Sequence, residues 1–192
     1  DVHGSRGLGD VYKRQSSNHS IGREHVDLLD IQGVNDENIV HGTNADYIEL
    51  IDYLETQEMN DPVVENALDN WIDIESYMSY QAFQIFVDNR DWPGNNIKFW
   101  RDHRVGGKWR WILYDTDFGF GIWDQYAYTF NTLNFALDPN GPGWPNPPWS
   151  TFVFRKLMEN ENFQNSFINI YCDMLNTVLL PEFLTTRLDS IS

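Results

Sequence analysis

An α+β fold, mainly helical with one small β-hairpin, is the class this 192-residue sequence predicts. Three observations point to it. Apolar residues recur at helical spacing over residues 45–88 and again over 150–176. Between them, over residues 95–114, the period changes to polar–apolar alternation. A stretch rich in Gly, Pro, Asn and Trp, residues 119–150, then separates the hairpin from the last helices.

Residues 16–43 are polar, have little periodicity and read as irregular. Ile48, Ile51 and Leu54 follow the capping residues Asn44 and Asp46, which predicts a helix over Asp46–Glu58. Pro62 suits the first turn of a second helix, to about Asn70. Asp73 can cap a third, to about Asp88. That helix is apolar nearly all round, the pattern of a buried helix. Asn95–Arg101 and Lys108–Tyr114 then read as strands joined through Gly106 and Gly107. A loop as long as 119–150 usually carries function or covers a site. Phe152 to Leu175 returns to helical spacing, and Pro181 opens a last helix at about Glu182.

Composition bounds the function. Apolar residues make up 41% of the chain, with 8 Trp, 9 Tyr and 12 Phe, enough for a sizeable core. The formal charge of −16 argues against nucleic acid and anionic membrane surfaces as partners. No apolar run reaches the roughly 20 residues of a membrane span. Cys172 is the only cysteine, so no intrachain disulfide can form. Its neighbours Phe167, Ile168, Ile170, Tyr171 and Leu175 suggest a buried, inert thiol. His19, His25, His41 and His103 lack zinc-site spacing and read as surface residues. Asp10-Val11-Tyr12-Lys13-Arg14-Gln15 matches the translation of a transposon end used in sequencing-library preparation. Residues 1–15 are therefore expected to be an adapter scar, with the reading frame entering inside a gene.

The chemistry concentrates where the third helix ends. Asp91 and Asn96 are five positions apart, the spacing of the kinase catalytic loop. There the Asp orients and accepts the proton of an attacking hydroxyl, and the Asn reaches a divalent cation with its amide oxygen. The hairpin returns Asp115 and Asp117 to the same end, and residues 117–119 spell Asp-Phe-Gly. Singly, each piece is an ordinary turn composition. The ordered set of buried helix, Asp-x4-Asn, hairpin and acidic strand end is specific. Arg90 either binds phosphate or pairs with Asp88, and local pairing is the simpler reading. Trp92, Trp100, Trp109 and Trp111 read as core, whereas Trp123, Trp144 and Trp149 lie in the long loop, where a peptide or sugar surface is conceivable.

The run from Phe86 to Gly119, FVDNRDWPGNNIKFWRDHRVGGKWRWILYDTDFG, resembles the core motif of the CotH kinase family. Phe154-Arg155-Lys156-Leu157-Met158, Glu161-Asn162-Phe163 and Tyr171 are similar to the family's tail. The resemblance implies the C-lobe of a protein-kinase-like domain, with the hairpin carrying the metal site and the N-lobe missing. It implies ATP and Mg²⁺ or another divalent cation as cofactors, and a protein substrate with Ser/Thr acceptors, secreted or on a cell surface or spore coat. Asp91 becomes the catalytic aspartate, with Asn96 and Asp115 as metal ligands. Asp117 is a second ligand or phosphate-side support, and which of the two aspartates is the principal ligand stays open. A kinase also needs a nucleotide cover and a phosphate-binding lysine, which neither Lys13 nor Lys98 supplies convincingly. The fragment alone is therefore expected to be inactive. Two rivals remain: a pseudokinase-like scaffold of a surface or spore coat, and a carbohydrate- or Ca²⁺-binding module.

Overall fold

The computed structural model describes residues 23–104, 106–141 and 143–190. The proposed adapter segment, residues 1–15, lies outside them, as does His19. Four antiparallel strands form one sheet: β1 (Val26–Asp30), β2 (Ile39–His41), β3 (Lys98–Asp102) and β4 (Arg110–Trp111), in the order β2-β1-β3-β4. The helices are α1 (Ala45–Thr56), α2 (Pro62–Trp71), α3 (Ile74–Phe86), α4 (Thr132–Leu137), α5 (Phe152–Leu157), α6 (Glu161–Leu175) and α7 (Pro181–Asp189). Mixed α+β architecture is thus observed.

The sheet is larger than the expected hairpin. Residues 26–30 and 39–41, read as irregular, are β1 and β2. The sequence Val-Asp-Leu-Leu-Asp hides its strand because β1 is central and Val26–Leu29 are buried on both faces, so no clean alternation develops. The β1 partner lies some seventy residues downstream, with Leu28 opposite Trp100 and Leu29 opposite Phe99. One face buries Leu29, Phe99 and Trp111 against Tyr47, Tyr77 and Trp109 in the main core. The other buries Val26, Leu28, Trp100 and Ile112 in a smaller cluster.

The second hairpin strand is shorter than Lys108–Tyr114. The N–H of Trp109 donates to Trp71 O at 2.8 Å, and its carbonyl accepts from Asp73 N–H at 3.1 Å. Its backbone is therefore spent on the α2–α3 junction and cannot extend the β3 ladder. Asp73 caps α3 as expected, whereas Asn44 stands at the start of α1 without a capping hydrogen bond from its side chain, and Asp46 lies inside that helix. Asp61 accepts from Val63 N–H at 2.8 Å and Asp73 from Ser76 N–H at 3.2 Å. Helix α3 is buried, as its all-round apolar pattern predicts, and it packs on α6, β4 and α4. All four strand-region tryptophans are buried. Cys172 corrects its expectation: it is exposed. Helix α6 faces the core with Phe163, Phe167, Ile170, Tyr171 and Met174, and position 172 falls outside that stripe.

Asn160 joins the two ends of the helical layer. It is buried, accepts from Asn162 and Phe163 N–H as the α6 cap, and donates to Met59 O at 2.6 Å. Asn160→Ala should cost about 2 kcal/mol, because it removes the cap and orphans a buried carbonyl. Asn160→Asp keeps the cap acceptor and should recover only part of that loss. Urea denaturation of the three proteins measures both steps.

Candidate functional site

Helix α3 ends at Phe86, and the chain turns through Asp88 in a left-handed conformation, φ 49°. The following segment, Asn89 to Asn95, closes on itself through a 2.9 Å bond from Asn95 N–H to Asp91 O. Asn96, at φ 53°, then leads into β3. After β4 the chain returns through Asp115, at φ 50°. Three of the five described non-glycine residues with positive φ are thus Asp or Asn of this one site, the residue types that tolerate that backbone best. Strained backbone gathered at one place is a mark of function.

The returning segment is laced to the first. Arg90 N–H donates to Phe118 O at 3.2 Å, and Phe120 N–H donates to Val87 O. Side chains complete the link. Asn96 Nδ2 donates to Asp91 Oδ2 at 3.1 Å and to Asp115 O at 3.4 Å. The structure therefore brings Asp91, Asn96 and Asp115 together from three separate sequence positions. Asp117 sits at the same corner, exposed, and its carboxylate bears on that of Asp115.

The electrostatics are one-sided. The Asp115 carboxyl is pushed above the usual carboxylate range, first by partial loss of water, then by the hydrogen bond and charge of Asp117, and last by the charge of Asp91. Both charged neighbours are acidic, so a bound cation would relieve the crowding. Arg90 does not: its Nε sits 2.9 Å from Asp88 Oδ2 and its guanidinium stacks 3.9 Å over Phe130. Local pairing, rather than a free phosphate site, is where Arg90 stands. Among the described residues, no three His, Cys, Asp or Glu side chains close around one point as a metal cage. Asp115, Asp117 and Asn96 offer two carboxylates and one amide oxygen. That fits Mg²⁺, which takes one or two carboxylates and completes its shell with phosphate oxygens and water.

Supporting residues are visible only in the fold. Asp88 is buried and also accepts from Thr132 Oγ1 at 2.8 Å, tying the long loop to the turn. Gly94 lies against that loop from the other side: a Cβ there would stand 2.5 Å from Pro145 O and 2.8 Å from Pro147 Cδ. Glycine at 94 serves this close approach. Beside the turn, a cavity of about 640 Å³ opens between Val87, Asp88, Phe120, Tyr128, Phe130 and Thr132.

The result is an acidic Asp/Asn corner at the exit of a buried helix, closed by a returning hairpin, on an α+β scaffold. A family model described as CotH kinase protein matches residues 1–192, the whole chain. The chain belongs to the CotH kinase family. No curated protein and no solved structure matches it.

Two substitutions test the geometry. Gly94→Ala should destabilise by about 1–3 kcal/mol, since a backbone carbonyl must move to admit the methyl group. Asp115→Asn should raise the thermal midpoint at pH 7. A raised carboxyl pKa means that ionisation opposes folding; the penalty is absent below the ordinary value and grows as pH rises through the folded one. The gain should therefore vanish near pH 3. Thermal denaturation of both proteins at the two pH values gives the sign.

Proposed function

We propose that this chain is the metal- and acceptor-binding part of a CotH-type protein kinase. It corresponds to a protein-kinase-like C-lobe and takes part in moving the γ-phosphoryl group of ATP to Ser or Thr hydroxyls of secreted or surface proteins. The observation that carries this reading is the contact of Asn96 with both Asp91 and Asp115. Asp91 receives the acceptor hydroxyl and its proton. Asn96 and Asp115 hold the divalent cation, with Asp117 as its second ligand or as support on the phosphate side. When bound, the cation supplies neutralisation of the phosphate charge. Catalysis then rests on positioning and electrostatics, with no covalent intermediate on the protein.

On the same reading, the nucleotide cover and the phosphate-binding lysine belong to an N-lobe beyond this chain. Each described lysine is already engaged. Lys98 Nζ is 3.4 Å from Asp30 Oδ2, Lys108 Nζ 3.0 Å from Asp69 Oδ1 and Lys156 Nζ 2.9 Å from Glu159 Oε2. The 192-residue chain should bind divalent cation weakly and turn over no ATP, and a chain extended upstream should phosphorylate Ser/Thr proteins. In that longer protein Asp91→Asn should lower kcat by roughly 10²–10⁴-fold. Phosphotransfer that survives Asp91→Asn would overturn the assignment. Mn²⁺ titration of Asp115→Asn against Asp117→Asn identifies the principal ligand; negligible losses in both reject the pair.

A second reading, a binding scaffold, draws on a different observation. Phe120, Ile122, Trp123, Tyr126 and Tyr128 are exposed in a single run, Trp123 at 70% and Tyr128 at 82%. Mg²⁺-dependent ATP binding by the longer protein favours the kinase. Glycan or Ca²⁺ binding that survives Asp91→Ala favours the surface module.

A further inference from the structure

Two amide side chains behind the site have no part in the chemistry described so far. Gln84, in the last turn of α3, is fully buried. Asn89 is 1% exposed. Asn89 Nδ2 donates to Gln84 Oε1 at 2.9 Å, and Asn89 Oδ1 accepts from Asp91 N–H at 3.1 Å. The Asn89 backbone N–H adds a bond to Gln84 O at 3.3 Å.

The bland account is a local turn, in which an Asn side chain bonds the backbone two residues on. A local turn on the surface leaves the side chain free to swing. Here the other end of the amide is held by a core residue five positions earlier, so Asn89 cannot rotate without breaking a buried bond. Asn also suits both bonds on donor–acceptor grounds. One atom must accept from Asp91 N–H and another must donate to Gln84 Oε1. The Asp91 backbone is thereby placed from the core, and its carboxylate accepts from Asn96 Nδ2, which in turn reaches Asp115 O. Gln84, Asn89, Asp91, Asn96 and Asp115 form one hydrogen-bonded line from the interior of α3 to the candidate metal corner.

We infer that Asn89, held by Gln84, is a positioning residue that aims the Asp91 carboxylate. Its catalytic consequence rests on the kinase reading above; its effect on Asp91 does not. The test uses Asn89→Leu, which removes both bonds, Asn89→Asp, which keeps the acceptor for Asp91 N–H, and Gln84→Met, which removes the core anchor at similar volume.

The first arm is amide hydrogen exchange on the 192-residue chain. Val87 N–H, bonded to Phe83 O at 3.0 Å, serves as the internal reference for global stability. Asp91 N–H protection should fall about tenfold or more relative to Val87 in Asn89→Leu and Gln84→Met, with partial recovery in Asn89→Asp. Protection of the two amides falling in step, or not at all, overturns the inference. If Asn89→Leu does not fold, Gln84→Met and Asn89→Asp carry the same comparison.

The second arm is phosphotransfer by the upstream-extended protein. The variants that expose Asp91 N–H should lose about 10- to 100-fold in kcat, with KM for ATP little changed. Unchanged kcat in a variant whose Asp91 N–H is exposed also overturns the inference. Absence of phosphotransfer in the unmutated protein, alongside the expected exchange pattern, removes the kinase reading and leaves Asn89 as the residue that places Asp91.

Discussion

The register of the β3–β4 hairpin is the constraint on which the candidate site depends. Phe99 faces Trp111, Trp100 faces Arg110, and Ile112 N–H donates to Lys98 O at 2.8 Å. Asn96 enters that hairpin and Asp115 leaves it, so their meeting is set by which residues pair between them. A slip of one residue would turn Phe99 and Trp111 out of the core and carry Asp115 away from Asn96. The register is held by burial on both faces. Phe99 and Trp111 stack at 5.3 Å on the helical side, while Trp100 and Ile112 fill the smaller cluster behind. Strand β1, paired with all five residues of β3, keeps the hairpin from being a free two-stranded ribbon, which would be marginal in water.

Around this rigid base the site accumulates features that oppose folding. Left-handed backbone at Asp88, Asn96 and Asp115 and the crowding of Asp115 with Asp117 and Asp91 each cost stability. They persist because the surrounding bonds over-determine them: Asp88 to Thr132 and Arg90, Arg90 N–H to Phe118 O, and Pro145 closed down on Gly94. Natural sites commonly give up stability for geometry. Here the elements that compensate are the long loop and the last turn of α3.

Much of this was legible in the chain. The Asp-x4-Asn spacing, the capped helices, the buried character of α3 and the turn glycines are local signals, and local signals survive without a partner. Exposed Trp123 and Trp144 against buried Trp92, Trp100, Trp109 and Trp111 also followed from local context. What was not legible depends on how the fold places residues against one another. Strand β1 pairs with residues some seventy positions away. Trp109 looks like an ordinary strand residue, yet its backbone is taken by Trp71 and Asp73. Cys172 has apolar neighbours in sequence, but the helix turns it outward. Asn89 and Gln84 each resemble unremarkable polar residues until the fold places one amide against the other.

The sequence alone determined the residue types of the site, their order and the secondary structure on either side of them. These rest on spacing, capping and side-chain chemistry, which act over a few residues. Tertiary structure decided the four-stranded sheet, the convergence of Asp115 on Asn96, the tie from Thr132 to Asp88 and the close approach of Pro145 to Gly94. Those outcomes turn on register and burial, which link residues far apart in the chain. A one-dimensional pattern carries the donors and acceptors but not which of them will meet.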